Sequence, residues 1–445
     1  MFFQDIAKFI EQNPDLIQEF PNNISIYFDL TDNGSLTGTD ESNFLLGLND
    51  RDSLSGLGNN DLIIGGAEND TLAGGEGDDL LIGNSGHDVA QYSQAQTDFS
   101  FKGDRDRLEV IGALGRDTLV GIESLEFSDG EVAIDDLNLL PATLYDDIEV
   151  IETTIPNTGD AIDIYIPEYI DNKLPIAILL PGANVDKSNY SIYAETVSSY
   201  GFAVVVPNNI RTIDLPDPAP DITGNLAELS QINEVFDYLR TPESPIDDAI
   251  DPDTLALLGH SFGGAAGLYA LQGGSNIPND PFGEFERPEE LAGGIFFGTD
   301  LRPSLGNGQP SPPVPLIDNN DLPTGLVLGD NDGISDPAET RETYDQIEDP
   351  PKALIAVEGT NHFGITNDNN PLNPPTTPEA VPAIVPDPNP QEIPQAIAID
   401  TIATWSALFL RATVLEDASA YDFVFGTGDE LDSNVSVINE LPADF

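Results

Sequence analysis

Across residues 38–91 an aliphatic position recurs every ninth residue, at Leu45, Leu54, Ile63, Leu72, Leu81 and, as a smaller apolar residue, Ala90. The copies run GTDESNFLL, GLNDRDSLS, GLGNNDLII, GGAENDTLA, GGEGDDLLI and GNSGHDVAQ, with Gly first in all six and Asn43, Asp52, Asp61, Asp70, Asp79 and Asp88 sixth. So strict a period predicts a stacked array in which each copy gives one very short strand and turns its aliphatic residue inward. Glycine serves the tight turns between strands. If two copies close one coil of a parallel β-roll, equivalent positions on one edge recur every second copy. One rail is then Asp52, Asp70 and Asp88, and the other is Asn43, Asp61 and Asp79. Carboxylates stacked in this way repel one another. Their hard oxygens suit Ca²⁺, which would neutralise them between stacked turns.

Ahead of the array, MFFQDIAKFIEQNPDLIQEF breaks its apolar residues with Gln, Asp, Lys and Glu. That predicts an amphipathic helix within an N-terminal segment, 1–35, and offers no apolar core for a cleaved signal peptide. Behind the array, DTLVGIESLEFSDGEVAI reads as further β structure, so the first domain is drawn over 36–136.

From Ile148 the pattern changes to apolar runs of four or five residues at 176–180, 202–206, 255–258, 293–297, 325–328 and 353–357. Nearly continuous apolar runs suit strands of a parallel sheet buried on both faces. Leu226, Leu229, Ile232, Phe236 and Leu239 keep helical spacing between two of them, and 396–411 repeats such a pattern. The expected fold class is therefore α/β, a mostly parallel sheet flanked by helices over 142–415, preceded by the all-β roll. Segments 302–323 and 371–394 carry six and nine prolines, which predicts surface loops at the carboxyl edge of the sheet. Residues 416–445 are set apart as an acidic C-terminal tail, either an export signal or a disordered end.

Composition sharpens this. The 445 residues hold 79 Asp or Glu against 15 Lys or Arg, a net charge of −64, which excludes nucleic acid and anionic membrane as electrostatic partners. With 39% hydrophobic residues the chain has ample material for buried cores. No Cys is present, so thiol nucleophiles, disulfides and Cys-ligated zinc are excluded. No apolar run approaches the roughly 18 residues of a transmembrane helix.

Directly after the run 255–258 comes Gly259-His260-Ser261-Phe262-Gly263-Gly264, then the apolar helical stretch AAGLYAL. A G-x-S-x-G sequence between a strand and a helix forms a strained turn that exposes the serine Oγ and aims the helix N-terminus at a developing oxyanion. The serine needs a base, and the chain has three histidines. His87 lies in a repeat and His260 must point away from its neighbour, which leaves His362 after the last buried strand. Carboxylates in Gly329-Asp330-Asn331-Asp332-Gly333 follow the preceding strand, giving the chain order Ser, Asp, His. Asp332 is favoured as the acid, with Asp330 and Asp336 as alternatives. The backbone N–H groups of Phe262 and of Ala183, in the turn Leu180-Pro181-Gly182-Ala183-Asn184, are the expected oxyanion donors.

The nonapeptides resemble the RTX calcium-binding repeats, GGEGDDLLI most closely, with Glu41 and Asp50 standing where that family prefers Gly. IAILLPGAN, SYGFAVVVPNN and LALLGHSFGGAAGLYAL resemble the α/β-hydrolase branch that contains chlorophyllases, cutinase-like polyester hydrolases and platelet-activating-factor acetylhydrolases, with Pro181 where many members have His. Together these resemblances imply a secreted, calcium-binding serine hydrolase that cleaves carboxylic esters through an acyl-serine, and export by a bacterial type I system. Cofactor and partners would be Ca²⁺ and a small-molecule or polymeric ester. The charge points to neutral or hydrophobic esters, for which Phe262, Phe296, Phe297 and Phe363 supply apolar surface. Arg211 and Arg302 are the only basic residues expected in the bordering loops. The competing reading is a calcium-dependent extracellular matrix protein whose hydrolase fold only binds.

Overall fold

A computed structural model describes residues 25–28, 34–103, 107–134, 137, 139, 141–170, 172–213, 222–274, 282–283, 285–302, 312–371, 385–432 and 434–442. The chain divides into two compact units, Met1–Ala142 and Thr143–Phe445. The amphipathic helix expected near the N-terminus lies outside the described residues. From that segment the strand Ser25–Phe28 is described, and it pairs in parallel with Asn43–Leu48.

In the first unit each repeat supplies one short strand. Asn43–Leu48, Leu62–Ala67 and Leu80–Ser85 pair in parallel on one sheet, and Ser35–Thr37, Ser53–Gly58, Thr71–Glu76 and Val89–Gln91 on another. Register partners lie eighteen residues apart, as Leu54 opposite Leu72, so two nonapeptides make one coil. The position-eight residues Leu45, Leu54, Ile63, Leu72, Leu81 and Ala90 are all at most 1% exposed and share one core with Leu108, Leu119 and Leu125.

The segment after the array ends each sheet in its own way. Gly115–Val120 joins Leu80–Ser85 in parallel and then pairs antiparallel with Arg107–Gly112. Ser124–Phe127 joins Val89–Gln91 in parallel and then pairs antiparallel with Gly130–Ala133. Both sheets are therefore mixed, parallel along the repeats and antiparallel at the far edge.

The glycines have a different reason from the one expected. The position-one glycines are not in left-handed turns: at Gly56, Gly65 and Gly74 a Cβ would lie 2.0, 2.4 and 2.0 Å from Oδ2 of Asp61, Asp70 and Asp79. The aspartate takes the space of the missing side chain. Left-handed backbone falls instead at positions two and four, as at Gly66, Gly75, Gly77 and Gly86, where Leu48, Leu57, Asn59 and Glu68 also adopt it.

The second unit is built on a nine-stranded sheet. Its order is Ile148–Thr154, Ala161–Pro167, Ala203–Pro207, Leu174–Leu180, Ile250–His260, Leu291–Phe297, Thr324–Gly329, Lys352–Val357 and Val435–Glu440. The six strands from Ala203–Pro207 to Lys352–Val357 run parallel and correspond to the six apolar runs. The outer strands are antiparallel. Helices Ser191–Ser199, Leu229–Leu239, Phe262–Leu271, Pro337–Asp345 and Gln395–Val414 connect or cover the strands. The described part of the acidic tail is ordered: Ala418–Asp422 and Gly428–Leu431 are helical, and Val435–Glu440 is an edge strand of this sheet. Helix Gln395–Val414 is long and apolar enough to cross a membrane by length and composition, but 78% of that stretch is buried inside the unit.

Of the proline-rich segments, 303–311 and 372–384 lie outside the described residues. The described remainder of the first runs to the amino edge of the sheet, not the carboxyl edge. There Ile317 bridges to Ile347, and Asn319 Nδ2 donates to the carbonyl oxygen of Asp349 at 2.8 Å. The remainder of the second does border the carboxyl edge, as its bonds below establish.

Candidate functional site

Strand Ile250–His260 ends in the elbow, and helix Phe262–Leu271 begins one residue later. Ser261 sits between them with φ 54° and ψ −119°, a left-handed backbone that is strained for any residue with a Cβ. The turn is possible because its glycines let backbones touch: a Cβ on Gly259 would lie 2.8 Å from Gly264 Cα, and one on Gly263 would lie 2.1 Å from the Leu180 carbonyl oxygen. Ser261 N–H donates to Phe297 O at 2.9 Å, and Thr299 Oγ1 donates to Ser261 O at 2.9 Å, which ties the elbow to the next strand end. Phe262 opens the helix, so its N–H is among those with no acceptor inside it. In the Leu180–Asn184 turn, Gly182 N–H donates to Tyr190 Oη and Asn184 N–H to Asn225 O, which fixes the backbone on both sides of Ala183.

Two strands further on, Asp332 and His362 meet. His362 Nδ1 lies 2.8 Å from Asp332 Oδ2, and both residues are buried. The other oxygen, Oδ1, accepts the N–H groups of Ile334 and Ser335, each at 2.8 Å. His362 thereby donates from Nδ1 and keeps Nε2 for other chemistry. The alternative acids are engaged elsewhere: Asp330 Oδ1 accepts Gly359 N–H at 2.7 Å, and Asp336 caps helix Pro337–Asp345 by accepting Ala338 N–H at 2.8 Å.

His260 points away from the serine, as expected, and into a buried relay. Its Nε2 lies 2.9 Å from the carbonyl oxygen of His362, which can only accept, so Nε2 carries the proton. Full burial, with the neighbouring His362 second, holds the His260 pKa well below its usual value, so the ring stays neutral. Nδ1 then accepts from Tyr190 Oη at 2.8 Å, and Tyr190 Oη accepts Gly182 N–H at 2.9 Å. One proton-ordered chain thus joins the turn that holds Ala183 to the backbone of His362. The two imidazole rings lie 4.8 Å apart.

Three of the four phenylalanines expected to meet substrate are core: Phe296, Phe297 and Phe363 are at most 2% exposed. Phe262 is half-buried and packs at a tilt of 37° against Phe282, ring centroids 4.8 Å apart. Exposed apolar side chains include Ile334, two residues after Asp332, and Val385 in the second proline-rich segment. Arg211 lies 3.4 Å from Glu228, and Arg302 lies 3.1 Å from Glu339 and 3.3 Å from Glu342, so neither presents an unmatched charge.

The aspartates form two buried rails in the first unit. Each Oδ1 accepts the backbone N–H eighteen residues earlier: Asn43 to Asp61 at 2.6 Å, and Asp52 to Asp70, Asp61 to Asp79 and Asp70 to Asp88 at 2.8 Å. Asp52 Oδ1 accepts Gly34 N–H in the same way. The rails continue past the array on residues that no periodicity marks, Asp117 accepting from Asp79 N–H and Glu123 from Asp88 N–H. Oδ2 of Asp61, Asp70, Asp79 and Asp88 is buried and meets no donor. Burial lifts the carboxyls of Asp61 and Asp70 to about 7 and that of Asp79 to about 6, with neighbouring aspartate charge adding to it. Among the described residues no group of three or more His, Asp or Glu is arranged to hold a metal by itself. The five aspartates named for calcium are thus brought onto rails, and backbone carbonyls would have to complete any shell. Buried acceptors without donors do fit a cation.

Fold and elbow define the second unit as an α/β-hydrolase domain. Residues 37–72 and 55–90 match the RTX calcium-binding nonapeptide repeat family, and residues 148–279 match the PET hydrolase-like family. The second match includes Ser261 and ends before Asp332 and His362. Among curated proteins the chain is similar to cutinase est2 of Thermobifida alba, 27% identical over 212 residues, which is 46% of this chain and 58% of that protein. Cutinase est1 of the same organism is 32% identical over 106 residues, 24% of this chain and 32% of that protein. Cutinase 2 of Thermobifida cellulosilytica is 28% identical over 106 residues, 24% and 37% of the two. The chain thus spans just over half the length of the first relative and about a third of the other two. It joins RTX-type calcium-binding repeats to a hydrolase domain similar to the PET hydrolases and cutinases.

Proposed function

We propose that the chain is a secreted calcium-binding serine hydrolase that cleaves neutral or apolar carboxylic esters. The observation that carries this reading is the strained Ser261 elbow beside the buried Asp332–His362 pair, in a domain similar to the cutinases. Ser261 Oγ attacks the ester carbonyl while His362 Nε2 takes its proton. Asp332 holds the imidazole in the tautomer that leaves Nε2 free and offsets the charge it gains. The N–H groups of Phe262 and Ala183 receive the developing oxyanion. Collapse expels the alcohol, which takes the proton from His362, and leaves an acyl-serine. Water, deprotonated by His362, then attacks the acyl carbon, and the second collapse releases the acid and returns the proton to Ser261 Oγ.

Ile334, two residues after Asp332, is an exposed apolar side chain, and the net charge of −64 repels anionic substrates. In the first unit Asp52, Asp61, Asp70, Asp79 and Asp88, with backbone carbonyls, would hold calcium. The bound ions would supply the positive charge that the buried rails lack. Similarity to RTX repeats supports export by a type I system.

Hydrolysis of a short-chain chromogenic ester tests the reading. Wild type should turn over, and Ser261→Ala and His362→Ala should each lose on the order of 10⁴-fold or more in kcat, with the double variant little worse than either. Turnover of Ser261→Ala within tenfold of wild type would sink the assignment, and an inert wild type would favour the non-catalytic binding module.

A further inference from the structure

We propose that Asp387 is a positioning residue for this hydrolysis, the anchor of a strap formed by residues 385–394 that fixes the acid loop against the histidine loop; this rests on the Ser261–Asp332–His362 reading. Asp387 lies in the second proline-rich segment and is only 8% exposed. Its Oδ2 accepts two backbone N–H groups, that of His362 at 2.8 Å and that of Gly333 at 3.2 Å. One oxygen atom thus joins the residue that would act as base to the residue directly after the one that would orient it. Oδ1 accepts Asn389 N–H at 2.7 Å, and the Asp387 N–H is itself held by Asn370 Oδ1 at 2.7 Å, so both oxygens and the backbone are committed.

The neighbours of Asp387 repeat the arrangement. Asn331 Nδ2 donates to Pro390 O at 2.6 Å on the acid loop. On the histidine loop Asn361 Nδ2 donates to Asn389 O at 3.0 Å, Asn361 N–H to Gln391 Oε1 at 2.9 Å, and Glu392 N–H to Gly359 O at 2.8 Å. Loops at strand ends are by default among the more mobile parts of a fold. A buried carboxylate is costly unless its oxygens are satisfied, and this one is satisfied by the loops it holds. Asp387 touches no reacting atom; it sets where His362 and Asp332 stand relative to each other. A displacement of about 1 Å in such a pair can cost about 10²-fold in rate.

Asp387→Asn in the full chain tests this, because it keeps the volume and replaces a carboxylate oxygen by a group that cannot accept an N–H. The expected result is a fall in kcat of about 10²-fold with KM for a soluble ester unchanged. The acid limb of the pH profile should move to lower pH as His362 loses hold of Asp332. With three histidines in the sequence, ¹⁵N-histidine labelling gives a readout independent of turnover: the His362 Nδ1–H resonance should shift or broaden while His87 stays as reference. A kcat within about twofold of wild type, or an unmoved His362 signal, overturns the proposal. Should Asp387→Asn not fold, the pair Asn331→Ala and Gln391→Ala cuts other stitches of the strap and should give the same kcat loss and His362 shift in weaker form; a wild-type signal and rate there overturns it equally. If wild type hydrolyses no ester the triad reading falls, while the His362 resonance still decides the strap.

Discussion

The two units bury carboxylates in opposite ways. In the hydrolase unit Asp332 is saturated by its own chain, with two backbone N–H groups on one oxygen and His362 on the other. In the repeat unit each rail aspartate receives one N–H on Oδ1, while Oδ2 of Asp61, Asp70, Asp79 and Asp88 is buried with nothing to accept from. The first arrangement needs nothing from outside to be stable. The second leaves one oxygen of each of these four carboxylates without a donor, which a bound cation or a proton would answer. The contrast predicts that one unit keeps its buried acid without help while the other depends on what its rails bind.

That contrast yields predictions of decreasing size. Asp332→Asn should keep the fold and lower kcat by about 10⁴-fold, since an amide at this point stabilises the wrong imidazole tautomer; steady-state kinetics at neutral pH checks it, and a loss below tenfold would remove Asp332 from the triad. Chelating calcium should expose the first unit alone: limited proteolysis should cut before residue 142, while the fragment from 143 onwards survives and keeps its esterase rate. Equal resistance of both units with and without chelator would erase the comparison.

Protons should substitute in part. Burial places Asp61 and Asp70 at about 7 and Asp79 at about 6, above their unfolded values. A raised folded value means the stability is fully present below the unfolded value of 3.8 and is lost as pH rises from there to the folded value, where the full burial penalty applies. Without calcium, the first unit should therefore be most stable at acid pH and lose stability, and with it β structure, as pH rises from 3.8 to about 7. Circular dichroism in chelator follows this, and an array that instead gains structure as pH rises would contradict it. The smallest effect belongs to a carboxylate with neither role: Asp336→Ala should cost about 1 kcal/mol by uncapping helix Pro337–Asp345 and leave kcat untouched, as thermal melting and kinetics on one sample would establish.

Much of this was legible because the chemistry is local. The nonapeptide period marks both rails, the elbow is six consecutive residues, and with three histidines the candidate base follows by elimination. Asp332 was already favoured from its place in the turn after the strand, but setting Asp330 and Asp336 aside needed coordinates, since three carboxylates within seven residues differ in which groups they reach. Asp387 was invisible for a related reason. It acts on N–H groups twenty-five and fifty-four residues away, and its own neighbourhood reads only as a proline-rich turn. The edge strands escaped because exposed strands lack a continuous apolar run: Ile438 in Val435–Glu440 is 52% exposed. Asp117 and Glu123 extend the rails at spacings of thirty-eight and thirty-five residues, outside any period.

The eighteen-residue coil also sets the step by which such an array can lengthen or shorten. Removing one nonapeptide would move every later copy to the opposite sheet and exchange the rails, so that Asp79 would face the partners of Asp70 and the hairpins at the far end would meet the wrong strands. Removing two would return each strand to its own side, one coil nearer the end. Duplication and deletion in this unit are therefore quantised: even numbers of copies pass through unharmed and odd numbers break the frame, a parity rule for its evolution and for anyone who resizes it.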